Sequence, residues 1–148
     1  MQILIVIRVN LNAHIKRQVR EVGTTYKGNT RFYRSIGQNI MITSSTYHYE
    51  NGRFGVSSPS TGNKTRNIAS SDPVSTARDF YNKITLGGIE QSFNNGTLKV
   101  TRMADGTHVT WRLVSHSDKT SVVDININNS SHTGGIKEQK IHFVEENK

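Results

Sequence analysis

Three side chains late in the chain could together handle a phosphodiester: His142, Arg112 and Lys140. An imidazole titrates near neutrality, so His142 can give or take a proton at ordinary pH. Arg112 offers a bidentate fork for phosphate oxygens, and Lys140 adds a point charge. Thr110, Ser115 and Ser117 supply hydroxyl donors nearby in sequence. Cleaving RNA without a metal needs a base for the 2′-hydroxyl proton and an acid for the leaving 5′-oxygen. It also needs cations or donors on the phosphorane oxygens. The set meets those requirements. His116, within Ser115-His116-Ser117, reads as a second proton-transfer group, a substrate contact or simply a solvated loop residue. Lys99, Asn126 and Lys137 read as substrate contacts, joined by Arg17 and Arg20 from a basic stretch near the start. His14, His48, His108 and His132 read as background. No cofactor or metal is expected, because no two His share the i, i+4 spacing of a helical site and the carboxylates are scattered.

The elements that must hold these groups come from a 148-residue chain, a length that suits one domain spanning 1–148. The chain has no Cys, which excludes a disulfide scaffold, a thiolate zinc site and a cysteine nucleophile. The longest apolar run, Ile3 to Ile7, covers five residues where a membrane span needs about 20. With no basic segment before it, that run also fails as a signal peptide.

Net charge is +8, unevenly placed. Residues 1–72 hold ten Lys/Arg and three Asp/Glu, whereas residues 73–148 hold nine and eight. A basic half favours a polyanion, since each neutralised phosphate releases condensed counterions.

Residues 1–71 read as a basic, Gly/Ser/Thr/Asn-rich half, irregular or β-rich. A short basic helix is expected around His14–Arg20, from the spacing of Ile15, Val19 and Val22. Short strands are expected at Arg31–Tyr33, Ile40–Thr43 and Tyr47–Tyr49, with turns at Asn51-Gly52 and Thr61-Gly62-Asn63. Residues 72–148 then read as a helix packed on a four-stranded antiparallel sheet, giving an α+β fold. Asp72-Pro73 starts the helix, Val74, Ala77, Tyr81 and Ile84 form its apolar stripe, and Gly87-Gly88 ends it. The strands are Thr97–Met103, Thr107–Val114, Ser121–Asn128 and Lys137–Val144.

A two-residue turn at Asp105-Gly106 sets Val100 opposite Trp111 and Leu98 opposite Leu113. Those residues, with Val109, Val123, Ile125, Ile127, Ile141 and Phe143, then form the face under the helix. Alternation puts Lys99, Thr101, Thr110, Arg112, Asp124, Asn126, Lys140 and His142 on the other face. A merely solvated face would also be polar. This one combines a titratable His with several cations and hydroxyls, and carries few Glu.

Residues 72–144 resemble a C-terminal toxin module of bacterial contact-dependent and other polymorphic toxins. The resemblance rests on Asp72-Pro73-Val74 to Phe80, Gly87-Gly88 and Asp105-Gly106-Thr107. It continues through Trp111-Arg112-Leu113-Val114-Ser115-His116-Ser117, Val123-Asp124-Ile125-Asn126-Ile127 and Lys140-Ile141-His142-Phe143. The family pattern reads roughly Tyr-Arg-x-Val-Ser-x-Ser-x-Gly, then Val-x-Ile-Asn, then Lys-Ile-His-Phe. It marks Arg112, Ser115, Ser117, Asn126, Lys140 and His142. Here Trp111 replaces the Tyr, and Lys119 stands where the family tends to have Gly. The helix-then-sheet arrangement is also similar to the barnase–EndoU–colicin–RelE group of ribonuclease toxins. The resemblance implies a ribonuclease toxin, with tRNA among its candidate substrates. It further implies delivery by a larger secreted parent protein into a target-cell cytoplasm, and a cognate immunity protein. That partner is expected to be acidic and to bind 1:1. The other readings are a DNase toxin, a non-catalytic nucleic-acid-binding module and a pure interaction protein.

Overall fold

The computed structural model describes residues 6–7, 35–58, 62–115, 119–128 and 130–146. The expected basic helix with Arg17 and Arg20, the expected strand Arg31–Tyr33, and His116 and Ser117 lie outside the described residues.

A short strand, β1, covers Val6–Ile7. Helix α1, Ile36–Ser44, follows where the sequence pattern predicts a strand. The Gln38 amide donates to the Ser35 side chain at 3.0 Å, and the Ser35 amide donates to Gln38 Oε1 at 3.0 Å. This reciprocal box satisfies two N–H groups that a helix start leaves free. The expected strand Ile40–Thr43 is therefore helical. Its Ile40 and Thr43 are buried with Ile36 and Asn39 at helical spacing, and capping with burial overrides β-branched preference.

Tyr49–Glu50 (β2) and Arg53–Phe54 (β3) form a separate hairpin. Its turn is Asn51-Gly52, with φ of 54° and 83°, the positive values this tight connection requires. Strands β4, Val56–Ser58, and β5, Gly62–Ser70, come next. Helix α2, Pro73–Ile84, starts as the sequence implies: Pro73 opens it and the Ser75 amide donates to Asp72 Oδ1 at 3.2 Å. Its buried stripe is Ala77, Phe80, Tyr81 and Ile84. Val74, expected in that stripe, is 41% exposed in the first turn. Asn39 of α1 donates to the carbonyls of Ile84 and Leu86 at 2.9 and 3.0 Å, satisfying acceptors at the helix end.

Five antiparallel strands follow: β6 (Ile89–Phe93), β7 (Leu98–Arg102), β8 (His108–Arg112), β9 (Ser121–Asn126) and β10 (Glu138–Glu145). The four expected strands are β7 to β10. The sheet extends beyond them on both sides, to eight strands among the described residues, in the order β1-β6-β7-β8-β9-β10-β5-β4. Strand β5 runs parallel to β10, so α2 carries the chain from one side of the sheet to the other. It packs on β8, β9 and β10. Trp111 lies fully buried on that face, with the Arg78 guanidinium 5.0 Å from its ring centroid.

The β7–β8 register is one residue away from the expected one. Lys99 pairs with Trp111, Val100 with Thr110 and Leu98 with Arg112. The cause is the connection, a three-residue loop of Ala104, Asp105 and Gly106. The Met103 amide donates to Thr107 O at 2.8 Å, and the Gly106 amide donates to Met103 O at 3.0 Å. Gly106 takes φ 92°, the left-handed residue that closes such a loop. A slip of one residue exchanges the faces of a strand. Leu98 and Val100 therefore share the Arg112 face, and Lys99 and Thr101 lie on the Trp111 face under α2.

Candidate functional site

Cross-strand pairing arranges the face away from α2 in rows. One row holds Thr65, Lys140, Asp124 and Thr110. The next, two residues along the strands, holds Asn67, His142, Val122 and Arg112. On the other side lies a row of Glu138, Asn126, His108 and Arg102. Thr110, Arg112, Asn126, Lys140 and His142 thus come together as the alternation predicts. Lys99 does not join them; on the opposite face its Nζ lies 4.0 Å from Glu90 Oε2. Lys137 is exposed and precedes β10, where its carbonyl accepts from the Ile127 amide at 2.8 Å. Alternation puts it on the side of Gln139, away from the rows.

His142 is 5% exposed, on the face opposite Trp111. Its Nδ1 is hydrogen-bonded to Thr120 Oγ1 at 2.7 Å. A hydroxyl is both donor and acceptor, so it suits either protonation state of the ring. With neutral Nδ1, Thr120 donates to it; with the imidazolium, Nδ1–H donates to Thr120. A carboxylate in that place, an acceptor only, would require a proton on Nδ1 in either state and would favour the charged ring.

Thr120 is held by the neck of the β8–β9 connection. The Ser115 amide donates to Thr120 O at 2.7 Å, and Ser121 Oγ donates to Leu113 O at 2.6 Å. Ser115 itself is 4% exposed, as buried as His142, and its backbone amide closes this neck. Lys119 takes φ 61°, a left-handed conformation that glycine adopts without strain.

Asp124 sits between the cations. Burial pushes its carboxyl above the ordinary value and Glu138 adds to that push, whereas Lys140, Arg112 and His142 oppose it. Burial prevails, leaving a carboxyl more ready than usual to hold a proton. The residue lines a concavity of ≈ 500 Å³ together with Thr65, His108, Thr110, Asn126, Glu138 and Lys140.

The chain matches no family model, no curated protein and no solved structure.

Two charged side chains elsewhere are committed to structural partners: Arg66 donates to Phe54 O, Gly55 O and Ser57 Oγ, and Asp79 accepts from Tyr47 and Lys83. Among the described residues, no hydrogen bond or ion pair engages Thr110, Arg112, Asp124, Asn126, Glu138, His108 or Lys140. Among the described residues, no three His, Asp or Glu side chains are grouped to hold a metal ion. Two proton-transfer candidates, His142 and Asp124, lie diagonally on adjacent strands, with Arg112 and Lys140 beside them. Asp124, Thr120 and His108 add to the site expected from sequence. His108 and Asp124 were within reach of the pattern, having the parity of Thr110 and Asn126 on their strands. Thr120 lies just before β9, where alternation alone does not fix a partner.

Proposed function

We propose that this chain is a metal-independent endoribonuclease, the catalytic module of a bacterial toxin delivered by a larger secreted protein. The observation that carries the reading is the convergence of His142, Asp124, Arg112 and Lys140 on one sheet face beside an uncommitted polar cleft. One of the two titratable groups removes the 2′-hydroxyl proton as that oxygen attacks phosphorus. The other protonates the 5′-oxygen as its bond to phosphorus breaks, leaving a 2′,3′-cyclic phosphate. Arg112 and Lys140 hold the phosphorane oxygens. The left-handed Lys119 supports the toxin resemblance, since it stands where the family pattern has Gly. The cognate inhibitor is an acidic immunity protein binding 1:1 over the cations, its association speeded by opposite charge and slowed by salt.

The test is incubation of the purified protein with total RNA, tRNA included, with and without EDTA, followed by end-group analysis. Cleavage is expected to persist in EDTA and to leave cyclic phosphate ends. His142→Ala is expected to lose roughly 10²–10⁴-fold in rate. A requirement for added metal, a normally active His142 variant, or binding without cleavage would overturn the reading.

A further inference from the structure

The row beyond Asp124 and Lys140 has no part in that mechanism, yet it lines the same concavity. Glu138, Asn126 and His108 lie side by side across β10, β9 and β8. All three border the ≈ 500 Å³ space, and no hydrogen bond or ion pair among the described residues engages any of them. His108 is too distant to be the partner of His142. It is two strands and four residues away, on the order of 16 Å between backbones at about 4.8 Å per strand and 3.3 Å per residue.

Glu138 decides what this row can meet. An ionised carboxylate accepts hydrogen bonds and donates none, so it repels a phosphate backbone and attracts N–H groups. Its row lies about 6.6 Å along the strands from Lys140 and Asp124. That is one step of a nucleotide, from phosphate toward base. We infer that Glu138, Asn126 and His108 form a nucleobase subsite selecting guanine next to the scissile phosphate. The inference rests on the ribonuclease reading above.

The choice of base follows from donor patterns. Two carboxylate oxygens match two adjacent N–H donors on one edge. Guanine offers them at N1 and N2. Adenine and cytosine set a single amino group beside an acceptor nitrogen, and uracil sets its one N–H between two carbonyl oxygens. Those acceptors would face the carboxylate and repel it. Asn126, on the neighbouring strand, can donate to guanine O6, and the flat His108 ring can stack against an unstacked base.

The four nucleoside 3′-monophosphates, titrated into the wild-type protein and followed by NMR, test the subsite without requiring turnover. Guanosine 3′-monophosphate is expected to bind most tightly, with shifts at Glu138, Asn126 and His108. Glu138→Gln, at an exposed position that leaves the fold intact, is expected to weaken its binding ~10–100-fold. The other three should change by less than about threefold. The wild type and Glu138→Gln are also assayed on GpU, ApU, CpU and UpU. Equal binding of the four nucleotides, or an equal effect of Glu138→Gln on all, overturns the subsite. RNA cleavage without base preference would remove the subsite and leave the ribonuclease reading standing. Guanine-selective, Glu138-dependent binding with no RNA cleavage would do the reverse.

Discussion

At Asp124 the needs of folding and of the proposed chemistry pull in opposite directions. Its carboxyl is raised above 3.8 chiefly by burial, despite three neighbouring cationic or titratable groups. A raised value means that the folded chain holds this proton more tightly than the unfolded chain. The contribution to stability is then greatest below 3.8 and is lost as pH rises through the folded value. At neutral pH the ionised Asp124 therefore costs stability. Asp124→Asn removes that cost, so thermal melts at pH 7 are expected to show a higher Tm than wild type. The gain should shrink to nothing as pH falls through 3.8. The same variant is expected to lose roughly 10²-fold or more in cleavage, since an amide transfers no proton. A lower Tm at pH 7 would mean that pairing with Lys140 and Arg112 outweighs burial. This trade of stability for activity is what a site maintained for chemistry should display.

Gln139 ties the β2–β3 hairpin of the first half to the sheet of the second. Its neighbours Glu138 and Lys140 face the cleft, but its own side chain is 3% exposed on the α2 side. There the Phe54 amide donates to Gln139 Oε1 at 2.8 Å, and Gln139 Nε2 donates to Gly52 O at 2.8 Å. The β2–β3 hairpin, outside the main sheet, is thus tied to β10. Gln139→Leu strands the buried Phe54 amide and is expected to cost ~2–3 kcal/mol in urea unfolding. A change below about 0.5 kcal/mol would show that the hairpin is secured by other contacts. Nothing in the alternation of β10 announces this role, because it depends on a hairpin 85 positions away. Strands β7 to β10 and α2 were legible because each carries its own periodicity and punctuation. Their faces were legible for β8, β9 and β10, which gave Arg112, Asn126, Lys140 and His142. Lys99 was misplaced because Asp-Gly can close a two- or a three-residue loop, and only the backbone tells which. Helix α1 was written in Ser35 and Gln38, a capping signal masked by the β-branched residues that follow. The parallel pairing of β5 with β10 joins distant segments, and local pattern does not encode it.

Charge acts on the molecule as a whole. Of the ten Lys/Arg in residues 1–72, seven fall within 8–34, so most of the positive excess belongs to one segment. The face carrying the cleft adds Arg112 and Lys140, which no acidic partner neutralises by a direct ion pair among the described residues. Lys83 differs: it is bonded to Asp79 on α2 at 2.7 Å. If RNA binds along the cations, each phosphate contact releases counterions and steepens the salt dependence of affinity. For single strands the slope of log K against log salt is about −0.7 per contact. RNA binding to the His142→Ala protein, measured from low to high salt, therefore counts contacts without cleavage. Arg112→Gln and Lys140→Gln are each expected to reduce the magnitude of the slope by about 0.7. Lys83→Gln removes the same charge from the total and is expected to leave the slope unchanged, because Lys83 is already paired on another surface. Arg17→Gln and Arg20→Gln ask whether the basic segment lies on the RNA path, each lowering the slope as the cleft variants do if it does. Equal effects from Lys83, Arg112 and Lys140 would mean that affinity follows net charge alone, and that the cleft is not where the phosphates lie.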